Sequence, residues 1–142
     1  MKFRELEPEE RPKVNAFYRL TTYRRPVSGS DRVFVAEDPD RIYGAVRIEA
    51  KDGVQVLRGM YMHPDYVRQG IGRRLLGAIE SPLSKTESYC IPRDHLFGFY
   101  GRASFKVIEQ HEAPSFLSER LASYIAEGLP VAIMHRPRGE AH

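Results

Sequence analysis

Gly70 and Gly72 stand two residues apart, flanked by Arg68, Arg73 and Arg74, at the end of the run Met60-Tyr61-Met62-His63-Pro64-Asp65-Tyr66-Val67. Residues without a Cβ let the backbone press close to a ligand. The N–H groups of a helix's first turn point outward and carry the positive end of the helix dipole. The run reads as a strand, a short basic loop and the start of an amphipathic helix, so these features together make an anion site suited to a diphosphate. Two familiar phosphate loops are excluded. The residue three beyond Gly72 is Leu75, where the dinucleotide fingerprint needs Gly or Ala. No Gly-Lys-Ser/Thr follows, so the loop is not a P-loop.

Other residues able to do chemistry are few. Tyr100 follows Phe97 and Phe99 in an aromatic-rich stretch, where by itself it reads as core packing. Cys90, the single cysteine, cannot form an internal disulfide and reads as a buried thiol. His63, His95, His111, His135 and His142 show no metal-ligand spacing, so no metal is expected.

The elements that must position these groups follow from periodicity and punctuation. Residues 1–6 form a first strand. Residues 9–20 form a helix with Val14, Phe17 and Tyr18 on one face and Pro12 in its first turn. Residues 24–30 are a loop. Strands follow at 32–37 and 42–49, separated by Asp38-Pro39-Asp40, and at 54–62 after the hairpin signal Lys51-Asp52-Gly53. Gly59 inside the third of these marks a bulge or close backbone approach; simple alternation would put Gln55, Leu57, Gly59 and Tyr61 on one face. The next helix spans about 69–80 and is expected to stop at Pro82. A strand at 87–91, a helix at 92–102 and a strand at 104–110 come next. A helix at 115–127 has Leu117, Leu121, Tyr124 and Ile125 inward and Gly128 at its C-terminal cap. A last strand at 129–134 precedes a polar tail, 136–142, expected to be flexible. The order β-α-β-β-β-α-β-α-β-α-β implies an α/β (α+β) fold with a mixed, mostly antiparallel sheet flanked by helices.

At 142 residues the chain has the length of a single domain, 1–142, with a real core. No apolar run approaches membrane-spanning length, so no membrane association is expected. Met1–Glu7 carries no signal-peptide core, and the lone cysteine fits a reducing compartment; a cytoplasmic protein is expected. The net charge of +3 is spread among nearly as many acids, without a dense basic run, so nucleic acid is not the expected partner.

The glycine loop resembles the coenzyme A pyrophosphate loop of the GNAT N-acetyltransferase superfamily, whose motif is Gln/Arg-x-x-Gly-x-Gly/Ala. Its second motif commonly reads like Phe-Tyr-x-x-x-Gly-Phe-Lys. Here Phe99-Tyr100-Gly101-Arg102-Ala103-Ser104-Phe105-Lys106 stands in that place, with Ser104 where Gly is usual. The element order is similar to that family's over nearly the whole chain. Three departures stand out. Val67 replaces the Gln/Arg that opens the first motif. The asparagine often found ahead of the motif tyrosine is missing. The helix at 115–127 intervenes between the last two strands, where it could shape an acceptor pocket or a homodimer contact.

The resemblance implies acetyl-CoA as co-substrate and direct attack by the primary amine of a small molecule, peptide or protein. It assigns Arg68, Gln69, Gly70, Ile71, Gly72 and Arg73 to the diphosphate. Met60, Tyr61 and Met62 would align the pantetheine arm, an N–H near Met62 would meet the carbonyl oxygen, and Tyr100 would protonate the leaving thiolate. Many relatives place a carboxylate on the strand at 54–62; this one has none. His63, Glu87, Asp94 and His95 remain as candidate bases. The missing carboxylate keeps a second function open, a non-catalytic acyl-CoA sensor or regulatory module.

Overall fold

The computed structural model describes residues 1–27 and 29–139. Asp52 and Gly53 take φ values of 53° and 80°. Two left-handed residues in succession are what a tight hairpin turn requires. This turn joins β3 (Arg41–Lys51) to β4 (Val54–Met62). β2 (Arg32–Asp38) pairs with β3, and β1 (Lys2–Glu5) with β2. Past β4 come β5 (Ser88–Cys90), β7 (Met134–Arg136) and β6 (Lys106–Val107). They complete a seven-stranded sheet ordered β1-β2-β3-β4-β5-β7-β6. Each pairing is antiparallel except β4 with β5.

Helices cover both faces, because side chains alternate across the strands. On one face Phe34, Val46, Ile48 and Leu57 pack with Leu75 and Leu76 of α2 (Ile71–Ala78), Leu83 of α3 (Glu80–Leu83) and Tyr100 of α4 (Phe97–Gly101). On the other, Val33, Val35 and Ala45 meet Val14, Phe17 and Tyr18 of α1 (Arg11–Tyr18). Farther along that face Val56, Tyr89 and Ile133 meet Leu117 and Leu121 of α5 (Ser115–Ala126). Each fully buried aliphatic side chain of this kind contributes about 1.5–3 kcal/mol.

The expected bulge is present. Ala45 lies opposite Tyr61 and Arg47 opposite Arg58, so Gly59 and Met60 together face the single residue Val46. Gly59 has φ 64°. The extra residue inverts the alternation beyond it. Tyr61 therefore leaves the face of Gln55 and Leu57, packing toward Tyr23, while Met60 and Met62 turn toward α2. The simple alternation placed Tyr61 wrongly.

Other elements differ from the sequence expectation for local reasons. Pro82 does not end a helix but sits within the first turn of α3, where its missing N–H has no intrahelical partner to lose. The strand expected at 104–110 shrinks to β6. The stretch 92–102 is a 3-10 turn, Asp94–Leu96, followed by α4. Ile125, expected inward on α5, is 51% exposed. The last strand begins at Met134. The residues before it instead tie to the end of β5: the Asp94 N–H donates to the Pro130 carbonyl at 2.9 Å, and Arg93 bridges Val131. Arg136, expected to open a flexible tail, is buried in β7 with its guanidinium on Glu80. Residues 140–142 of that expected tail, His142 among them, and Ser28 of the 24–30 loop lie outside the described residues. Among the described residues no helix is long and apolar enough to cross a membrane.

Candidate active site

β4 and β5 pair only where Gln55 meets Ser88 and Val56 meets Tyr89. Beyond Val56 they part, leaving the β5-facing edge of β4 without a neighbouring strand among the described residues. The split opens into a cleft of about 670 Å³, within the size range of small-ligand sites. Leu57, Met60, Cys90 and Tyr100 line it toward α2 and α4. Tyr23, Arg58, Tyr61, Arg120 and Tyr124 line it toward α1 and α5.

The bulge residues Gly59 and Met60 line this opening, and α1 holds the bulge. The Tyr18 hydroxyl donates to the Gly59 carbonyl at 2.8 Å. A Cβ at Gly59 would stand 3.0 Å from the Tyr18 hydroxyl and 3.2 Å from both Arg47 and Tyr23. Only glycine accepts both that φ and that crowding. Tyr23 stacks on Tyr61 with centroids 5.1 Å apart, making an aromatic wall.

At the other end of β4 the chain enters α2 through Arg68, φ 64°, and Gly70, φ 77°. The first intrahelical bond runs from the Arg74 N–H to the Gly70 carbonyl, 3.2 Å. The N–H groups of Ile71, Gly72 and Arg73 precede it and have no partner one turn back. Arg68, Gln69, Gly70 and Arg73 are exposed, whereas the Ile71 side chain is buried and offers only its backbone. A Cβ at Gly70 would meet nothing within 4 Å; at Gly72 it would reach Phe99 at 3.4 Å. Arg74 departs from the expected cluster: its guanidinium lies 4.9 Å over the Phe3 ring, packed on β1. Met60 and Tyr61 line the cleft; Met62 and the helix mouth lie outside its lining.

Tyr100 is 7% exposed, ringed by Phe99 and Phe105 at 4.9 and 6.0 Å. Burial pushes its phenol far above the ordinary value of 10, so it stays protonated. Burial likewise pushes the Cys90 thiol up, which disfavours the thiolate a nucleophile needs. Of the four candidate bases, His95 alone lines the cleft. His63 Nδ1 accepts the Asp65 N–H at 3.1 Å as a helix cap, and Glu87 bonds His135 at 3.0 Å. Among the described residues no group of three His, Cys, Asp or Glu is placed to hold a metal ion.

One cluster escaped the sequence reading. Glu49 of β3 receives Arg120 of α5 through two N–H groups, at 2.8 and 3.3 Å, and Arg58 of β4 at 3.2 Å. Desolvation would raise the Glu49 pKa, but Arg120 and Arg58 outweigh it and hold the carboxyl below 4.5. The hairpin turn does signal half of the cluster: with Glu49 opposite Val56, Arg58 is its diagonal neighbour on the same face. Nothing local signals Arg120.

Residues 29–107, more than half of the chain, match the family model for the acetyltransferase (GNAT) domain. The chain belongs to the GNAT acetyltransferase family. Solved structures share the GNAT fold at low sequence identity. N-acetylglutamate synthase from Neisseria gonorrhoeae, complexed with coenzyme A and L-arginine, superposes with a TM-score of 0.73 at 13% identity over 98% of this chain and 33% of that one. This chain thus spans about a third of that synthase. The ribosomal-protein-S18-alanine N-acetyltransferase of Escherichia coli gives 0.71 at 18% identity, covering 99% of this chain and 96% of that one. A GNAT acetyltransferase of Streptococcus pneumoniae gives 0.72 at 15%, covering 97% and 99%. No curated protein matches the sequence.

Proposed function

We propose that this GNAT chain moves the acetyl group of acetyl-CoA to a primary amine by direct attack within a ternary complex. The parting of β4 from β5 beyond Val56, with Tyr100 beside the split, carries the proposal. A coenzyme A complex of the same fold supports it.

The residue roles follow from local chemistry. The N–H groups of Ile71, Gly72 and Arg73, with Arg68, Gln69 and Gly70 around them, hold the diphosphate at the positive end of α2. The open edge at Met60, Tyr61 and Met62 pairs with the amides of the pantetheine arm as an added strand would. A backbone N–H near Met62 donates to the thioester oxygen as charge develops there, an effect worth about 3–4 kcal/mol. The amine nitrogen attacks the carbonyl carbon, the C–S bond breaks, and Tyr100, kept neutral by burial, protonates the departing thiolate.

Freeing the amine is the demanding step. A lysine-like amine costs about 4.6 kcal/mol to deprotonate at pH 7, an α-amine about 1–1.4 kcal/mol. Glu127 is the one carboxylate among the cleft-lining residues, while five arginines line it. Their field disfavours an ammonium, which lowers the need for a strong base; His95 and solvent at the open rim accept the proton.

The test is calorimetry with acetyl-CoA followed by thiol release against an amine panel. Binding together with acceptor-dependent release is expected. Tight binding without such release with any amine assigns the chain to acyl-CoA sensing instead.

A further inference from the structure

The wall of the cleft toward α1 and α5 carries net positive charge, with five arginines against the single lining carboxylate, Glu127. Arg24 and Arg25 follow α1, Arg58 lies on β4 just before the bulge, Arg120 comes from α5, and Arg93 stands past β5. Arg58 and Arg120 are each 22% exposed at the side chain and share the single carboxylate of Glu49. Each guanidinium offers five N–H donors in a planar fork. Glu49 occupies one on Arg58 and two on Arg120. One carboxylate between two half-buried guanidiniums leaves a positive charge uncompensated where water screens it poorly. Arg25 is held to the same wall, 5.7 Å over the Tyr124 ring. A cationic acceptor would add charge of the wrong sign to this wall. A carboxylate would supply the missing partner in the bidentate geometry guanidinium favours.

We propose that the acceptor is a small primary amine that itself carries carboxylate, an acidic amino acid in chemical class, seated on Arg58 and Arg120 with Arg25 at the entrance. This deepens the acetyl-transfer proposal and rests on it. The balanced step joins the acceptor nitrogen to the acetyl carbon and breaks the C–S bond. The neutral amine nitrogen loses one proton to His95 or solvent, and the sulfur gains one from Tyr100, which a proton from solvent restores, giving an N-acetylated acid and free coenzyme A thiol. The size of the cleft, which must also admit the thioester end of the cofactor, favours a free amino acid over a folded protein surface.

The experiment is thiol release by the full chain at saturating acetyl-CoA with glutamate, aspartate, their side-chain amides, a peptide with N-terminal glutamate, and linear diamines. The free dicarboxylic amines are expected to exceed amides and diamines at least 10-fold in kcat/KM. That margin should shrink with added salt and in Arg120→Gln, through KM more than kcat. Arg25→Gln, outside the Glu49 cluster, should also raise KM and guards against loss of folding in Arg120→Gln. Equal or better use of diamines, amides or the peptide overturns the inference and leaves acetyl transfer standing. Acetyl-CoA binding without thiol release from any amine overturns acetyl transfer itself.

Discussion

The Tyr18 hydroxyl donates to the Gly59 carbonyl at 2.8 Å, so a side chain of α1 fastens the one irregular residue of β4. Tyr18 is 3% exposed, and burial keeps its phenol protonated and able to donate. Tyr18→Phe removes the donor and strands the carbonyl. Stability should fall by about 0.5–1.5 kcal/mol, the net worth of a partly buried hydrogen bond. Urea unfolding measures this loss. KM for acetyl-CoA should rise in the same variant, because the bulge sets the direction of the Met60–Met62 edge.

Gly70 and Gly72 should respond oppositely to substitution. Gly70 is left-handed, φ 77°; a side chain there costs about 1–2 kcal/mol, and Gly70→Glu adds a carboxylate beside the diphosphate site. Acetyl-CoA affinity by calorimetry should drop more than 10-fold. Gly72 has ordinary helical backbone, and its added methyl would only touch Phe99 at 3.4 Å. Gly72→Ala should bind normally and gain up to about 1 kcal/mol of helix stability.

Tyr100→Phe should lower kcat about 100-fold or more, the scale of a lost general acid, with acetyl-CoA affinity little changed. Its pKa is raised, so the phenol remains protonated across the working range, contributes no alkaline limb to the pH–rate profile and leaves the acidic limb unaltered. That limb belongs to the acceptor amine and should stay where it is in the variant. Unchanged turnover would remove Tyr100 from the chemistry.

Glu49 makes stability depend on pH. Its folded pKa lies below the unfolded value of 4.5. A lowered carboxyl pKa contributes stability that is present above the unfolded value and is lost as pH falls through the folded one. Glu49→Gln should therefore cost about 1–3 kcal/mol near neutrality, and its deficit against the parent should close as pH drops below 4.5. Thermal melts across that range test the sign.

Much of the architecture is legible in local signals. β4 runs over the residues its pattern marked, Asp52-Gly53 makes its turn, and Gly59 is its bulge. The consequence of the bulge was not legible, because one inserted residue reverses every later side chain. That is why Tyr61 was placed beside Leu57. The last strand starts later than expected because Leu129–Val131 are apolar enough for a strand, yet the Leu129 N–H turns back to Tyr124, the Pro130 carbonyl accepts from Asp94 and Val131 only bridges Arg93. The left-handed turn into α2 is legible because its glycines and arginines are contiguous in sequence. The arginine wall is not, because Arg25, Arg58 and Arg120 meet only after α5 folds onto the sheet. The Glu49–Arg120 contact spans 71 positions of sequence.

The two walls of the cleft share β4 but differ in what else builds them. Leu57, Met60 and Tyr100 line it toward α2 and α4, while the segment after α1 and the helix inserted between β6 and β7 join Arg58 and Tyr61 on the opposite side. If acetyl transfer runs as proposed, substitutions in the inserted helix retune which amine is modified and spare the Tyr100 side of the cleft.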